Sequence, residues 1–97
     1  MIASFHNRGS EDVFNGLDTP TAREICPKAL WAVAQRKLDQ LNRVSVVRDL
    51  AVPPGNKLEP LRGDRIGQYS VRVNEQYRIC FHWENGNAHE VEITDYH

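Results

Sequence analysis

Hydrophobic residues recur at helical spacing in the first half of the chain. From about residue 28 to residue 43 they form a single apolar stripe, and polar residues fill the positions between. The stripe consists of Leu30, Val33 or Ala34, Leu38 and Leu41. Pro27 suits the first turn of such a helix, because a first-turn residue needs no hydrogen-bonded backbone N–H. The pattern therefore predicts a helix over residues 28–43 whose apolar side packs into a core.

Weaker signals describe the residues before this helix. Ile2 to Phe5 fit a short opening strand, and Ser10-Glu11-Asp12 is predicted to cap an earlier helix with acids in its first turn. Gly16 and the cluster Asp18-Thr19-Pro20 are expected to end that helix.

The second half alternates with the period of two that is typical of β-strands. One side of the first two strands carries Tyr69, Val71, Val73, Tyr77, Ile79, Phe81 and Trp83, and the other side carries Gln68, Ser70, Arg72, Arg78, Cys80 and His82. Asn74-Glu75 is the expected turn between them, and Asn85-Gly86 is a strong hairpin signal before a third strand. Together these predict an antiparallel meander.

The connection between the halves is less regular. Val44 to Leu50 fits a short helix or a loop, and Pro53-Pro54-Gly55-Asn56 is a firm break. Lys57 to Leu61 alternates again and predicts a further strand, which Pro60 confines to an edge or an end. The fold class expected is α+β, with two helices on one face of a small, mainly antiparallel sheet, in a single domain over residues 1–97.

Composition narrows the possible partners. The net charge is −1, whereas a protein that grips long nucleic acid by charge alone is strongly basic. Any nucleic-acid function therefore needs a local basic site or help from a larger partner. No apolar run is long enough to span a membrane and the N-terminus lacks signal-peptide features, so we expect a cytoplasmic protein with no membrane contact.

The sequence gives little indication of a metal site or of a reactive thiol. Cys26 and Cys80 are the only cysteines, have no spacing typical of zinc ligands, and are expected to be buried free thiols. His82 and His89 are predicted to face each other across the hairpin, a pair more often solvated than metal-bound. No metal or cofactor is expected.

Several motifs of the second half occur together in one known family. They are Leu61-Arg62-Gly63-Asp64, the stretch from Gly67 to Asn74, Tyr77-Arg78-Ile79, and Asp95-Tyr96-His97 after an alternating strand. In this combination the chain closely resembles the RelE/HigB-like toxins of bacterial type II toxin–antitoxin systems, in particular the HigB or plasmid maintenance killer branch. The resemblance is specific over residues 44–97, while the helical half is similar only in layout.

The resemblance implies a microbial-ribonuclease-like domain that cleaves mRNA in the A site of the 70S ribosome and so inhibits translation. The implied reaction is attack of the RNA 2′-hydroxyl on the adjacent phosphate, without a metal. A cognate antitoxin, HigA-like and carrying a helix-turn-helix, would neutralise the toxin and connect it to operator DNA. A substrate held by the ribosome would also explain the low net charge.

This reaction needs a base, an acid and positive charge beside the phosphate. The resemblance makes Arg78 the catalytic arginine, and a guanidinium can bind phosphate oxygens in a bidentate fork. His97 suits proton transfer because imidazole titrates near neutral pH. Asp95 would polarise its neighbours, and Tyr96 would stack on a base or share in proton transfer. Which of these three residues moves which proton is left open.

One position departs from the family. Glu59 stands where well-known members carry a catalytic histidine, and it is either a general base or an exposed acid paired with Lys57 or Arg62. Arg62 stands where the family carries a lysine near the phosphate, and Arg72 and Lys57 are further candidate substrate contacts. The substitution keeps a second function class open, namely a catalytically weak or inactive module that binds its antitoxin, as a co-repressor, or the ribosome.

Overall fold

The computed structural model describes residues 1–96 and contains three α-helices and four β-strands in that range. The helices are α1 (Arg8–Asn15), α2 (Pro20–Ile25) and α3 (Trp31–Arg43). The strands are β1 (Glu59–Pro60), β2 (Gln68–Arg72), β3 (Tyr77–Glu84) and β4 (Asn87–Asp95). Short 3₁₀ turns lie at Lys28–Leu30, Val47–Ala51, Pro54–Asn56 and Gly63–Arg65. This arrangement confirms the predicted α+β class and adds α2 to the two expected helices.

The four strands form one antiparallel sheet in the order β1-β2-β3-β4. The predicted edge strand is β1, which is reduced to two residues paired with Ser70 and Tyr69. At the other edge the opening segment runs parallel to β4 through isolated bridges from Ile2 to Ala88 and from Phe5 to Val91. The Asn85-Gly86 hairpin is confirmed, with φ of 53° and 77° at its two turn residues.

The start of α1 differs from the prediction. Asn7 caps the helix, and its side-chain oxygen accepts a hydrogen bond from the Ser10 N–H at 2.9 Å. The expected capping residues are used elsewhere, because the Ser10 hydroxyl accepts from the Ile93 N–H and Asp12 accepts from the Thr19 hydroxyl. Ser10 and Asp12 are buried where the helix meets the sheet and the next helix. The Ser10-Glu11-Asp12 cap was therefore wrong.

The cluster after Gly16 also has a second role. Gly16 ends α1, as predicted, and the structure shows it in the left-handed conformation. Thr19 then caps α2 through its hydroxyl, which accepts from the Ala22 N–H at 3.1 Å, and Pro20 occupies the first helical position. Because Thr and Pro also mark turns, the sequence alone indicated only the break.

The core lies between the helices and one face of the sheet. It contains Ala34, Leu38 and Leu41 of the predicted stripe together with Trp31. The sheet contributes the inward positions Val71, Val73, Ile79, Phe81, Ala88, Val91 and Ile93. Within residues 1–96, the helices are all too short or too polar to cross a membrane.

Candidate functional site

The face of the sheet that points away from the helices carries the polar residues, and we call it the outer face. By strand register it includes Glu59 and Ser70, Arg72 beside Arg78, and Cys80 beside Glu92. Ser70 and Cys80 are nonetheless completely buried. Charged side chains lie over this face, because Arg78 donates to the Ser70 hydroxyl, and Arg65 bonds to Gln68 and Glu92 on the strands that flank Cys80. These side chains build the candidate site.

Arg78 is held firmly on the outer face. Its Nε donates to the Ser70 hydroxyl at 2.6 Å, and its Nη2 donates to the Lys57 carbonyl oxygen at 2.7 Å. The side chain is only 13% exposed, so the guanidinium lies in the surface and does not extend into solvent. A guanidinium fixed in this way is preorganised to receive an anion.

Glu59 lies next to this guanidinium. Its Oε1 is 3.6 Å from Arg78 Nη2, and its side chain is 53% exposed. Lys57 contributes its backbone carbonyl, which accepts the hydrogen bond from Arg78, and its φ is left-handed at 47°. Arg72 lies directly opposite Arg78 across the strand pair. Four predicted residues, Glu59, Arg78, Lys57 and Arg72, thus meet at one end of the outer face.

A second group of predicted residues lies around a depression of about 310 Å³. Its lining consists of Arg62, Asp64, Arg65, Asp95 and Tyr96. Asp95 accepts a hydrogen bond from Gln76 Nε2 at 2.8 Å, and register places it opposite Tyr77, whereas Thr94 is opposite Arg78. His97, the predicted proton-transfer residue, lies outside the described residues.

Arg65 is a residue that the sequence did not single out. Its Nη1 donates to Gln68 Oε1 and to Glu92 Oε1, each at 3.1 Å, and the guanidinium lies 6.0 Å from the centre of the Tyr96 ring. Burial lowers the pKa of Arg65, but the hydrogen bond to Glu92 and the electrostatic attraction of Cys80, Glu92 and Tyr96 together outweigh it, so the pKa is raised. No local sequence pattern indicates a role for Arg65, because its partner Glu92 is 27 positions away.

The two thiols are buried, as predicted. Cys26 lies among the helices and Cys80 on the outer face, and burial raises the pKa of each to about 11. His82 and His89 are direct cross-strand partners. No cluster of three possible metal ligands occurs within residues 1–96.

A separate groove on α3 carries positive charge. It measures about 390 Å³ and is lined by Arg36, Lys37, Gln40, Arg43, Pro53, Gly55 and Asn56. Lys37 Nζ donates to the Arg72 carbonyl, which links the groove to the end of β2. Burial lowers the pKa of Lys37, and the nearby charges of Arg36, Arg72 and Arg78 lower it further. In the described part of the chain, Arg36, Lys37, Arg43 and Arg72 form no ion pair.

The comparisons with known proteins agree with one another. Residues 3–97 match the family described as the RelE-like toxin of the type II toxin–antitoxin system HigB. Toxin HigB-1 of Vibrio cholerae is 41% identical over 64 residues, which are 66% of this chain and 67% of that protein. Endoribonuclease HigB of Proteus vulgaris is 31% identical over 103 residues, with both chains covered completely.

A solved structure with the same fold is a heterotetrameric complex of the YoeB-YefM toxin–antitoxin from Staphylococcus aureus. The match has a TM-score of 0.58 and 18% identity, and it covers 100% of this chain and 98% of the other. At this identity the likeness establishes the fold alone.

Proposed function

This chain belongs to the RelE-like HigB toxins of type II toxin–antitoxin systems, and we propose that its outer face is the site at which it cleaves mRNA. Membership of this family, together with the relative that aligns over its full length, identifies the chain as a toxin with endoribonuclease activity. Its partner is an antitoxin. The observation that carries the assignment of the site is the fixed guanidinium of Arg78 beside the carboxylate of Glu59.

The chemistry follows from these two groups. The 2′-oxygen of one nucleotide attacks the adjacent phosphorus, the bond from phosphorus to the 5′-oxygen breaks, and the products are a 2′,3′-cyclic phosphate and a 5′-hydroxyl. Glu59 takes the proton of the 2′-hydroxyl, and Arg78 stabilises the charge that develops on the phosphorus oxygens. Their separation of 3.6 Å lets both act on one phosphate group.

The remaining predicted residues complete the site. His97 protonates the departing 5′-oxygen, Asp95 polarises its neighbours, and Tyr96 stacks on a base of the mRNA. Arg62, Arg72 and Lys57 contact phosphates on either side of the cleaved bond. Support for the placement of Arg62, Asp95 and Tyr96 is that they line one depression.

The substrate is mRNA held in the ribosomal A site, so the toxin acts in the cytoplasm. A chain of net charge −1 has little general attraction for RNA, and a ribosome that presents the mRNA removes the need for it. The groove on α3 supports this proposal, because clustered cations without carboxylate partners in residues 1–96 repel one another until a polyanion binds. The antitoxin carries a helix-turn-helix and supplies the contact with operator DNA.

The test is cleavage of a defined mRNA by the purified protein, alone and on programmed 70S ribosomes, followed by primer extension and by analysis of the 3′ end. We expect cleavage only on ribosomes, a 2′,3′-cyclic phosphate at the new end, and inhibition by the cognate antitoxin.

Glu59→Gln tests the assigned base, because the amide keeps the size of the side chain but cannot accept the proton. We expect its cleavage rate to fall by about 10²-fold or more. Ribosome-independent cleavage would contradict the substrate assignment. A folded wild-type protein that binds antitoxin yet never cuts would instead identify the inactive module.

A further inference from the structure

Arg65 spans the outer face of the sheet. The Gly63–Arg65 turn comes soon after the edge strand β1, yet its arginine reaches Gln68 on β2 and Glu92 on β4. Because β3 lies between those two strands, the guanidinium lies above β3. It also separates the depression around Tyr96 from a larger one of about 680 Å³ that reaches His6 and His82.

The ring of Tyr96 lies beside this arginine. The backbone N–H of Tyr96 donates to the Gln76 carbonyl at 3.2 Å, which fixes the main chain but not the ring. Within residues 1–96 the ring stacks on no other aromatic residue and its hydroxyl has no hydrogen-bond partner, whereas the guanidinium of Arg65 lies over it at 6.0 Å. A cation over an aromatic face fixes the ring at a modest energetic gain.

The arginine is itself anchored. Its side chain is 26% exposed and that of Glu92 is 18% exposed, so their contact is partly shielded from water. Both of its hydrogen bonds use Nη1, so the planar guanidinium is tied at one nitrogen while its face stays available to the ring. Glu92 and Gln68 thus hold Arg65, and Arg65 in turn contacts the ring of Tyr96.

We propose that Arg65 is a positioning residue for mRNA cleavage, which holds the Tyr96 ring in the orientation that receives the nucleotide next to the cleaved bond. This inference rests on the proposed function of the outer face. In this proposal Arg65 does not contact the reacting phosphate. Its effect passes through Tyr96 and depends on the pair with Glu92 only for anchoring.

The first measurement is independent of activity. Incorporation of 3-fluorotyrosine places one ¹⁹F label on each of the three tyrosines, and Tyr96→Phe assigns the resonance of Tyr96. We expect Arg65→Gln to shift and broaden the Tyr96 resonance, while those of Tyr69 and Tyr77 stay in place. An unchanged Tyr96 resonance in a folded Arg65→Gln protein would overturn the proposal.

The second measurement is cleavage on programmed ribosomes. Arg65→Gln should lower kcat by roughly tenfold to a hundredfold with little change in KM, because misplacing a reactant by about 1 Å has effects of that size. Glu92→Gln is the matched control: it removes the negative charge, but Gln68 and the amide oxygen at position 92 still accept from Arg65, so the cation stays over the ring. We therefore expect a loss within about threefold. Arg65→Lys, which keeps the charge, should recover part of the rate.

A double-mutant cycle separates positioning from general support of the fold. In a Tyr96→Ala background, Arg65→Gln should cause no further loss, because the group it positions is absent. Equal losses for Arg65→Gln and Glu92→Gln, or fully additive losses with Tyr96→Ala, would overturn the proposal. Absence of cleavage by the wild-type protein would instead refute the proposed function, and the ¹⁹F measurement would still decide whether Arg65 orients Tyr96.

Discussion

The two faces of the sheet are buried by different kinds of side chain. On the inner face, Ile79 and Phe81 are covered by apolar residues from the helices. On the outer face, Ser70 and Cys80 are just as inaccessible, but Arg78 donates to Ser70, and Arg65 lies above the strand that carries Cys80. Burial by itself therefore does not identify the core of this protein, and the chemistry of the covering groups separates packing from function.

The difference has an energetic consequence. Inner-face residues contribute to stability through apolar area removed from water, which does not depend on direction. Outer-face arginines contribute through directed hydrogen bonds, which hold a charge in place at a net gain of about 1 kcal/mol each. Substitutions on the inner face should therefore unfold the protein, and substitutions on the outer face should inactivate it.

The largest effect on folding is expected at the centre of the inner face. Phe81 is fully buried and packs near Tyr69 and Trp83, so Phe81→Ala should lower the free energy of unfolding by about 3–5 kcal/mol. Its neighbour His82 is exposed on the outer face, and His82→Ala should change that free energy by no more than about 0.5 kcal/mol. Denaturant unfolding of the two variants measures both values, and similar losses would remove the distinction between the faces.

A large effect on activity without loss of folding is expected at His97. Removal of an acid–base group costs about 10²–10⁴-fold in rate, so His97→Ala should abolish measurable cleavage while antitoxin binding persists. Cleavage assays on programmed ribosomes together with titration by the antitoxin measure the two properties. Cleavage at the wild-type rate would show that another group protonates the 5′-oxygen.

The smallest effect concerns the thiols. Because burial raises the pKa of both cysteines to about 11, neither should react with iodoacetamide at pH 8, and reaction should speed up as the pH rises towards that pKa. Arg65→Gln should expose Cys80 on the outer face and leave Cys26 protected among the helices. Peptide mapping by mass spectrometry separates the two sites, and equal acceleration at both would indicate general loosening instead of a local cover.

The sequence predicted the features that depend on neighbouring residues. The stripe of α3, the end of α1 at Gly16 and the Asn85-Gly86 hairpin each follow from spacing or backbone preference within a few residues. The cap of α1 was misassigned because Ser10 bonds to Ile93, which is 83 positions away. A pattern within a few residues carries no information about such a distant partner.

The candidate site also has features that could be predicted from the sequence and features that could not. Alternation placed Arg78 on the face away from the helices, and the family resemblance supplied its role together with Glu59, Asp95, Tyr96 and His97. The enclosure of Arg78 by Ser70 and the Lys57 carbonyl depends on strand pairing, and so does the reach of Arg65 to Glu92. Contacts across three strands have no signature in a single sequence.

The most direct test of the outer-face site compares Arg78→Ala with Arg23→Ala. Arg23 is a surface arginine of α2, paired with Asp18, and provides the control for loss of one positive charge. Both proteins are assayed for mRNA cleavage on programmed ribosomes and for the free energy of unfolding. We predict that Arg78→Ala cleaves about 10²–10³-fold more slowly while losing only about 1–2 kcal/mol of stability, and that Arg23→Ala cleaves at the wild-type rate. A folded Arg78→Ala protein that cleaves as fast as the wild type would contradict the account.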